Sequence, residues 1–356
     1  MAKSRQGSSR RGHTLVTASD VARLAGVSPM TVSRVINGEA SVKESTRAAV
    51  NKAIRKLGYS PNKAARSLAS ANEVQIGLLY ANPSSAYLSA MLLGVLEQAR
   101  HSDTHIMLVE CAPGNSPTKV IRGLIRSGVD GVMITPPAAD DPEVLKLLRK
   151  QSINAVTIGT VHEADGIASV RIDDYAAALA MTRHIIELGH RRIGYIKGAP
   201  EHRSTSWRLA GYRDALREAG LELAGELVAE GDYSYRSGLR AADQLLNLRP
   251  APTAIFASND DMAAATVATA HRFSIGVPKG LTVCGFDDTY LATTIWPELT
   301  TVRQPIADMS QAAIDLLVRN VRARRAGLES ECAHIELDFE LVQRQSDAPP
   351  AKAIRG

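Results

Sequence analysis

The chain has 356 residues, of which 45% are hydrophobic, and it carries 42 Lys and Arg against 37 Asp and Glu. This composition excludes a mostly disordered chain, and the length predicts two or three domains. Three well-separated cysteines exclude a disulfide framework and favour a reducing compartment. Because no apolar stretch is long enough for a membrane span and the basic N-terminus lacks a signal-peptide core, we expect a cytoplasmic protein without membrane association.

Charge is distributed unevenly along the chain. Residues 1–70 contain 13 Lys and Arg but only three Asp and Glu, whereas the rest of the chain contains 29 and 34. A basic head on an acidic body is typical of a polyanion-binding module joined to a second domain. A solubilising N-terminal arm would give the same imbalance, and we expect residues 1–13 to be a disordered basic tail. The residue pattern within the head must therefore decide between the two.

Residues 14–60 carry the signals of three short helices. Thr17 and Asp20 have capping-box spacing, and Gly26 is placed to end the first helix. Ser28 is placed to cap a second helix, with Pro29 in its first position, where a missing N–H costs nothing. The third helix has an apolar stripe at helical spacing, formed by Val50, Ala53, Ile54 and Leu57.

Two short helices joined by a tight turn and braced by a third form a helix-turn-helix, whose second helix can enter the major groove of DNA. The outer face of the second predicted helix is polar and basic. Arg34 has the fork of donors that matches guanine, while Thr31, Ser33 and Asn37 are suited to phosphate oxygens. A small helical bundle used for protein contacts is the alternative, and the polar outer face favours DNA binding over it.

Residues 61–73 form a hinge segment with weak helical character. Lys63 and Arg66 are suited to phosphate contacts once this segment is ordered on DNA. Leu68 is an apolar side chain without an evident core. It would serve either as a wedge in the minor groove or as part of a linker that packs on the next domain, and the residues alone favour the linker.

The body, residues 74–345, alternates short apolar runs with helical segments, which predicts parallel sheets with helices on their faces. We expect about nine strands in two doubly wound lobes. Seven runs are clear: Val74–Tyr80, His105–Glu110, Gly131–Thr135, Ala155–Ile158, Arg192–Lys197, Ala254–Ala257 and Leu281–Phe286. Ligands of such sheets bind beyond the carboxyl ends of the strands, where Asn82, Asn259 and Asp287 stand, although turn chemistry also explains these residues.

Motifs of enzymes and metal sites are missing from the sequence. It contains neither glycine-rich nucleotide-binding motif, no His-Glu-x-x-His, no paired Cys-x-x-Cys and no nucleophile elbow. We therefore expect no catalytic activity, no metal and no cofactor. His190, beside two arginines, is predicted at a solvated helix end, and Cys284, inside an apolar run, is predicted to be buried.

Residues 16–37, VTASDVARLAGVSPMTVSRVIN, closely resemble the helix-turn-helix of the lactose-repressor (LacI/GalR) family of bacterial transcription regulators. Two further head segments, LGYSPN at 57–62 and ARSLA at 65–69, resemble the end of its third helix and its hinge helix. Matching body segments follow in the family's order: ELGHRRIG at 187–194, RLAGYRDAL at 208–216, ASNDDMA at 257–263 and GFDD at 285–288. The resemblance covers about residues 16–345.

The resemblance implies a DNA-binding homodimer and a two-lobed effector domain like that of periplasmic sugar-binding proteins. The implied lobes are 74–171 with 303–328, and 174–300 with 331–345, followed by a disordered tail at 346–356. That tail has two adjacent prolines and no leucine heptads, so a coiled coil is excluded and a dimer is expected rather than a tetramer.

The resemblance also assigns residues to DNA. Pro29, Met30 and Arg34 fall where the family reads bases in the major groove, and Leu68 falls where its hinge helix enters the minor groove, which replaces the linker interpretation. The implied DNA-binding set is Thr17, Ser28, Pro29, Met30, Thr31, Ser33, Arg34, Asn37, Tyr59, Asn62, Ala65 and Leu68.

Effector-binding positions follow in the same way. The resemblance places Arg208, Asn259 and Asp287 at effector contacts and Tyr87 and Tyr233 at aromatic positions that stack on a sugar ring; Asn82 is the sixth candidate. Asn82 and Gly159 stand where some members carry Asp, so the effector's identity stays open. A sugar from a carbohydrate-utilisation pathway is the implied effector of a repressor. The alternatives are a sugar-binding protein that does not bind DNA and a regulator corepressed by a purine.

Overall fold

The computed structural model describes residues 17–36, 42–57, 59, 73–112, 114–160 and 163–351. The chain divides into two compact units, Met1–Glu73 and Val74–Gly356, which we call the head and the body. Three predicted features lie outside the described residues: the tail at 1–13, residues 61–72 of the hinge, and four candidate DNA contacts. Those four are Asn37, Asn62, Ala65 and Leu68. No helix of the described chain is long and apolar enough to span a membrane.

The described residues of the head form three helices: α1 (Ala18–Ala25), α2 (Pro29–Ile36) and α3 (Glu44–Leu57). The predicted capping box at the start of α1 is present, since the Asp20 carboxylate accepts from the Thr17 backbone N–H at 3.0 Å and the Asp20 N–H donates to the Thr17 hydroxyl. Gly26 ends α1 in the left-handed region, at φ 67°. One fully buried valine from each helix forms the centre of the core: Val21, Val32 and Val50.

The body has two lobes, and the chain passes from one lobe to the other three times. The first stretch comprises β1 (Val74–Tyr80), α4 (Ser85–Ser102), β2 (Thr104–Glu110), α5 (Pro117–Arg126), β3 (Gly131–Ile134), α6 (Pro142–Gln151), β4 (Asn154–Ile158) and β5 (Ala168–Arg171). The second comprises α7 (Asp174–Glu187), β6 (Ile193–Ile196), α8 (Arg203–Glu218), β7 (Val228–Ala229), α9 (Tyr235–Leu246), β8 (Ala254–Ala257), α10 (Asp260–Arg272), β9 (Thr282–Asp287), α11 (Leu291–Thr294) and β10 (Thr300–Arg303). α12 (Ile306–Arg325) and β11 (His334–Glu336) return to the first lobe, and β12 (Glu340–Val342) lies in the second.

Each lobe is built on one six-stranded sheet. The strand orders are β11-β5-β4-β3-β1-β2 and β12-β10-β9-β8-β6-β7, and every pair is parallel except β10 with β12. Helices cover both faces of the sheets, so central strands such as β3 and β8 are buried along their whole length. The predicted two-lobed α/β architecture is confirmed, and the seven predicted strands lie within about one residue of the observed ones.

Two parts of the C-terminal prediction are wrong. Residues 331–345 were assigned to the second lobe, but β11 pairs in parallel with β5 in the first sheet. Residues 346–351 were assigned to a disordered tail, but Ser346 and Asp347 are buried. The Ser346 hydroxyl donates to the Val283 carbonyl at 2.5 Å, so this segment is bound across the second sheet.

The same segment explains a third difference. His190 was predicted at a solvated helix end, yet it is only 1% exposed. Its ring nitrogens lie 2.8 Å from the Thr253 hydroxyl and 2.9 Å from the carbonyl of Ala348. Burial lowers the pKa of His190, so the neutral ring is favoured there. Cys284 is buried as predicted, and burial raises the pKa of its thiol.

Candidate functional site

A narrow polar cleft lies between the carboxyl ends of the two sheets. Both sheets have the 2-1-3-4-5 order of doubly wound folds, in which ligands bind at that edge. Two of the segments that cross between the lobes also line the cleft, through Ile172 and Gln304. The complete lining is Asn82, Tyr87, Thr135, Pro136, Gly159, Ile172, Asp174, His202, Ser204, Arg208, Tyr233, Asp287 and Gln304.

Arg208 on α8 is the central cation of the cleft. Its Nε donates to the Asp174 carboxylate at 2.7 Å, and its Nη1 donates to the carbonyl of Ser258 at 2.7 Å and lies 3.8 Å from Asp287. Its guanidinium carbon lies 3.5 Å from the centre of the Phe286 ring, a cation–π contact. Because these contacts hold the guanidinium on all sides, its donors are preorganised at the cleft.

Burial controls the charges of this cluster. Burial alone would lower the pKa of Arg208, but the carboxylates of Asp174 and Asp287 outweigh it and raise that pKa. Burial raises the pKa of Asp287, while the charge of Arg208 opposes that rise. The Gln304 amide donates to the Asp287 carboxylate at 2.6 Å. The site therefore pairs one cation with two carboxyl groups and offers no excess positive charge to an anion.

Tyr233 and His202 form one wall of the cleft. The Tyr233 hydroxyl lies 2.8 Å from the Thr205 hydroxyl, and its ring lies 5.2 Å from that of His202 between centres. Gly198 leaves room for the Tyr233 ring, because a Cβ there would lie 2.0 Å from its Cζ atom. Burial and the charge of Arg208 lower the pKa of His202 to about 4, so its imidazole is neutral at pH 7.

Five of the six candidate effector residues line the cleft: Asn82, Tyr87, Arg208, Tyr233 and Asp287. Asn259 does not line it. Its side chain caps α10 by accepting from the Met262 N–H at 3.0 Å, and it donates to the carbonyl of Tyr233 at 2.9 Å. Asn259 thus supports Tyr233, a cleft residue, from behind.

In the head, α2 presents a polar face to solvent. Pro29, Met30, Ser33 and Arg34 are exposed, and Met30 is 66% exposed, whereas Val32 and Val35 on the opposite face are buried. The residues of this face can contact a groove of DNA while the apolar core of the head stays packed.

Three other candidate DNA contacts have structural roles in the head. Thr17 caps α1, and the Ser28 hydroxyl accepts from the Thr31 N–H at 3.2 Å at the start of α2. Tyr59 is half-buried and packs on the core of the head.

Comparison with known proteins agrees with both parts of the chain. The profile of "Bacterial regulatory proteins, lacI family" matches residues 17–62, and that of "Periplasmic binding protein-like domain" matches residues 182–346. Catabolite control protein A of Priestia megaterium is 34% identical over 333 residues, which cover 93% of this chain and 99% of that relative. The chain belongs to the LacI family of bacterial regulatory proteins.

Solved structures of the family agree with the fold of this LacI-family protein. The lac repressor dimer bound to operator and the anti-inducer ONPF superposes with a TM-score of 0.80 at 26% identity, covering 94% of this chain and 99% of that one. The complex of the transcriptional regulator CelR with cellobiose superposes with a TM-score of 0.68 at 31% identity, covering 93% and 99%. These relatives are transcriptional regulators, and this chain is a LacI-family regulator with an effector-binding domain.

Asp174, His202 and Gln304 are among the residues of the LacI-family cleft that the sequence did not single out as effector contacts. Asp174 follows β5 and Gln304 follows β10, and neither strand was among the seven that the sequence revealed. Recognising these two short strands would have placed both residues at carboxyl ends. His202 stands at the N-cap of α8 without capping it, and no sequence signal marks it.

Two hydrogen bonds join the lobes beside the cleft. The Ser84 hydroxyl, at the start of α4, donates to the Asp261 carboxylate at 2.6 Å, and burial raises the pKa of that carboxyl. The Arg203 N–H, at the start of α8, donates to the Asp140 carboxylate at 3.3 Å. Both contacts must break for the lobes to separate at this edge, so they favour the closed arrangement of the cleft.

Proposed function

We propose that this LacI-family protein is a repressor that binds a palindromic operator as a homodimer and is released or retained by an uncharged sugar in the interlobe cleft. The observation that carries the proposal is the Arg208 cluster, a preorganised and charge-balanced set of polar groups buried between two lobes. The same chain carries an exposed polar helix face in its head. Such a regulator acts on DNA in the cytoplasm.

The head supports specific DNA binding. Arg34, Ser33 and Met30 lie on the exposed face of α2, where a helix-turn-helix contacts base edges and phosphates. Thr17 and Ser28 act as helix caps in the described head, and a capping residue leaves the first backbone N–H groups of its helix pointing outward. We therefore assign base contacts to Met30 and Arg34 and phosphate contacts to the two helix starts.

The cleft supports an uncharged polyol. Asp287, Asp174 and Gln304 offer acceptors, and Arg208 offers donors held in a fixed fork, a combination that binds neighbouring hydroxyl groups. A phosphorylated or carboxylated effector would meet two carboxyl groups for one guanidinium. The purine alternative lacks support of the same kind, because the cleft already satisfies its one arginine with carboxylates.

The homodimer needs a surface, and the first lobe provides an apolar one. Leu93 and Leu96 lie one turn apart on α4 and are 70% and 58% exposed, and Met107 and Leu108 are exposed on the edge strand β2. Exposed apolar groups of this density mark interaction sites on otherwise soluble domains. We propose that a second copy of the chain covers this face, so that two heads reach the two halves of one operator.

A gel-shift titration of the full chain against DNA upstream of its own gene tests the proposal. We expect sequence-specific retention that weakens steeply with salt, since phosphate contacts release counterions. A matching sugar should change operator affinity about 5–150-fold, the usual range of allosteric coupling. A sugar-binding protein without DNA-binding function would show sugar binding but no specific retention, and a purine-corepressed regulator would respond to purines only.

A further inference from the structure

The helices α5 and α6 form a strongly basic surface on the first lobe. Together they hold six of the 29 Lys and Arg residues within 71–356, but only one of the 34 Asp and Glu residues, Glu143. Their net charge is therefore +5, whereas the rest of residues 71–356 carries −10. All six cations are exposed, and we call them the basic face: Lys119, Arg122, Arg126, Lys146, Arg149 and Lys150.

The basic face lies on the opposite side of the first sheet from α4, which carries the proposed dimer surface. The chain moves one way along the sheet from β1 to β2 and the other way from β2 to β3 and β4, so right-handed crossovers place α5 and α6 opposite α4. The two helices contact each other and bury their apolar sides, through Ile121 on α5 and Leu148 on α6. A second copy of the chain on α4 therefore leaves the basic face open.

The stability of α5 does not account for its charges. Lys119, Arg122 and Arg126 are three and four positions apart, so like charges lie next to each other along one side of the helix and repel. Lys119 also lies in the first turn, at the positive end of the helix dipole, where a cation is unfavourable. Within the described part of the chain, none of these three side chains is paired with a carboxylate. A surface that gathers like charges at a cost to its own helix is suited to an anionic partner.

The arrangement of the basic face suits duplex DNA. Its cations form one row on each helix, and packed helices lie about 8–10 Å apart between their axes. The major groove of B-DNA is about 12 Å wide, so the two rows match the phosphates on its two sides.

The path of the chain keeps DNA near this surface. The chain passes from the head into the body at Val74, the amino end of β1, and α5 and α6 end at that same edge because each of them connects parallel strands. Since the head is covalently joined to this edge, a duplex held by the head is present there at a high local concentration.

We propose that the basic face binds the phosphate backbone of duplex DNA and is a second DNA-binding surface of this regulator. The heads occupy the operator, so the basic face contacts DNA outside the operator half-sites. Contacts to phosphate carry no sequence information, so this surface raises affinity for long DNA without changing base preference. The proposal is independent of the effector in the cleft.

Fluorescence anisotropy of the full chain with DNA of different lengths tests this. The short duplex holds the operator alone, about two helical turns, and the long duplex adds about three turns on each side; a random-sequence duplex has the same length as the long one. The test variant combines Lys119→Gln, Arg122→Gln and Arg126→Gln. We expect it to bind both long duplexes about tenfold more weakly and the short duplex within about twofold. The slope of log affinity against log salt should fall by up to about three on the long duplexes, one for each lost phosphate contact.

A second triple variant is the control. Arg213→Gln, Arg236→Gln and Arg240→Gln remove the same charge from exposed positions on α8 and α9 of the second lobe, and this protein should bind every duplex like the unaltered one. Circular dichroism should show an unchanged fold for both variants, because all the replaced side chains are exposed.

Two results would overturn the proposal. An equal loss of affinity in the two variants would show only a response to net charge. Unchanged binding of the long duplexes by the test variant would remove DNA as the partner and leave the basic face to an acidic protein. A failure of the proposed operator binding is seen separately, as equal affinity of the unaltered protein for the long operator duplex and the random-sequence duplex, and the random-sequence duplex still tests the basic face in that case.

Discussion

The face of α2 and the interlobe cleft hold their polar groups in opposite surroundings. On α2, Met30 and Arg34 are exposed, and their removal leaves the valine core of the head intact. In the cleft, Arg208 is 6% exposed and its contacts come from α7, from Ser258 after β8 and from β9. A group on the first surface acts only when a partner arrives. A group in the cleft also stabilises the fold, so ligand recognition and stability are coupled there but separate in the head.

The largest expected effect is on the cleft side of this comparison. Arg208→Ala leaves the buried Asp174 and Asp287 without their counter-charge, so we expect a loss of about 3–5 kcal/mol in the free energy of unfolding of the body. Chemical denaturation followed by circular dichroism measures this loss. A gel shift at low temperature, where the variant stays folded, should show operator binding that no longer responds to the effector.

Arg183→Ala is the matched control for Arg208→Ala. Arg183 joins α7 to α8 by a salt bridge of 2.7 Å to Glu218, and both side chains are 51% exposed. Its loss should cost at most about 1 kcal/mol. If the two variants are equally stable, or if Arg208→Ala remains inducible, burial does not couple recognition to stability in the cleft.

On the head side, Arg34→Ala should change recognition without changing stability. We expect about 1–3 kcal/mol less affinity for the operator and relaxed preference at one base position, because a bidentate contact to guanine is lost. Gel shifts against operators randomised at single positions measure both effects. Arg55→Ala, an exposed cation on α3, is the control and should leave base preference unchanged. An equal loss on every sequence would show that Arg34 contacts phosphate only.

The same difference explains which parts of the structure can be predicted from the sequence. Thr17 and Asp20 are three positions apart, so the start of α1 and the polar face of α2 are visible in a run of twenty residues. Arg208 and Asp174 are 34 positions apart and meet only after α7 and α8 have packed together in the second lobe. Asp174 and Gln304 follow β5 and β10, which are four residues long and end in arginine, so the pattern of apolar runs did not reveal them. The Ser346–Asp347 segment is polar and proline-flanked, and only its contacts with the second sheet show that it is ordered.

The buried imidazole of His202 in the cleft should make the stability of the body depend on pH. Burial and Arg208 lower its pKa to about 4 in the folded protein, whereas an unfolded histidine has a pKa of about 6.5. As the pH falls below that unfolded value, the unfolded chain takes up a proton that the folded protein refuses. The contribution of His202 to the free energy of unfolding is therefore fully present above about pH 6.5. As His202 loses this contribution, the free energy of unfolding should fall by about 2 kcal/mol between pH 7 and pH 5.

His202→Gln isolates this contribution, since subtracting its stability profile from that of the unaltered protein cancels the carboxyl groups of Asp260 and Asp287. Burial raises the pKa of both carboxyls, so their contribution to stability has the opposite dependence on pH. Parallel profiles for the two proteins would mean that the imidazole is already solvated in the folded state.

The smallest expected effects come from two glycines with open space around them, one in each unit. Gly26 has φ +67°, a conformation that costs a residue with a Cβ about 1 kcal/mol, so Gly26→Ala should destabilise the head and lower operator affinity only through the folded fraction. Gly123 lies inside α5 with an ordinary helical backbone, so Gly123→Ala should stabilise the body by about 0.5–1 kcal/mol. Hydrogen exchange of the amides of α1 and α5 in each variant measures the two shifts separately. Because the two units are distinct, each shift should be confined to its own unit. A change in α5 protection caused by Gly26→Ala would show instead that the stability of the head and that of the body are coupled.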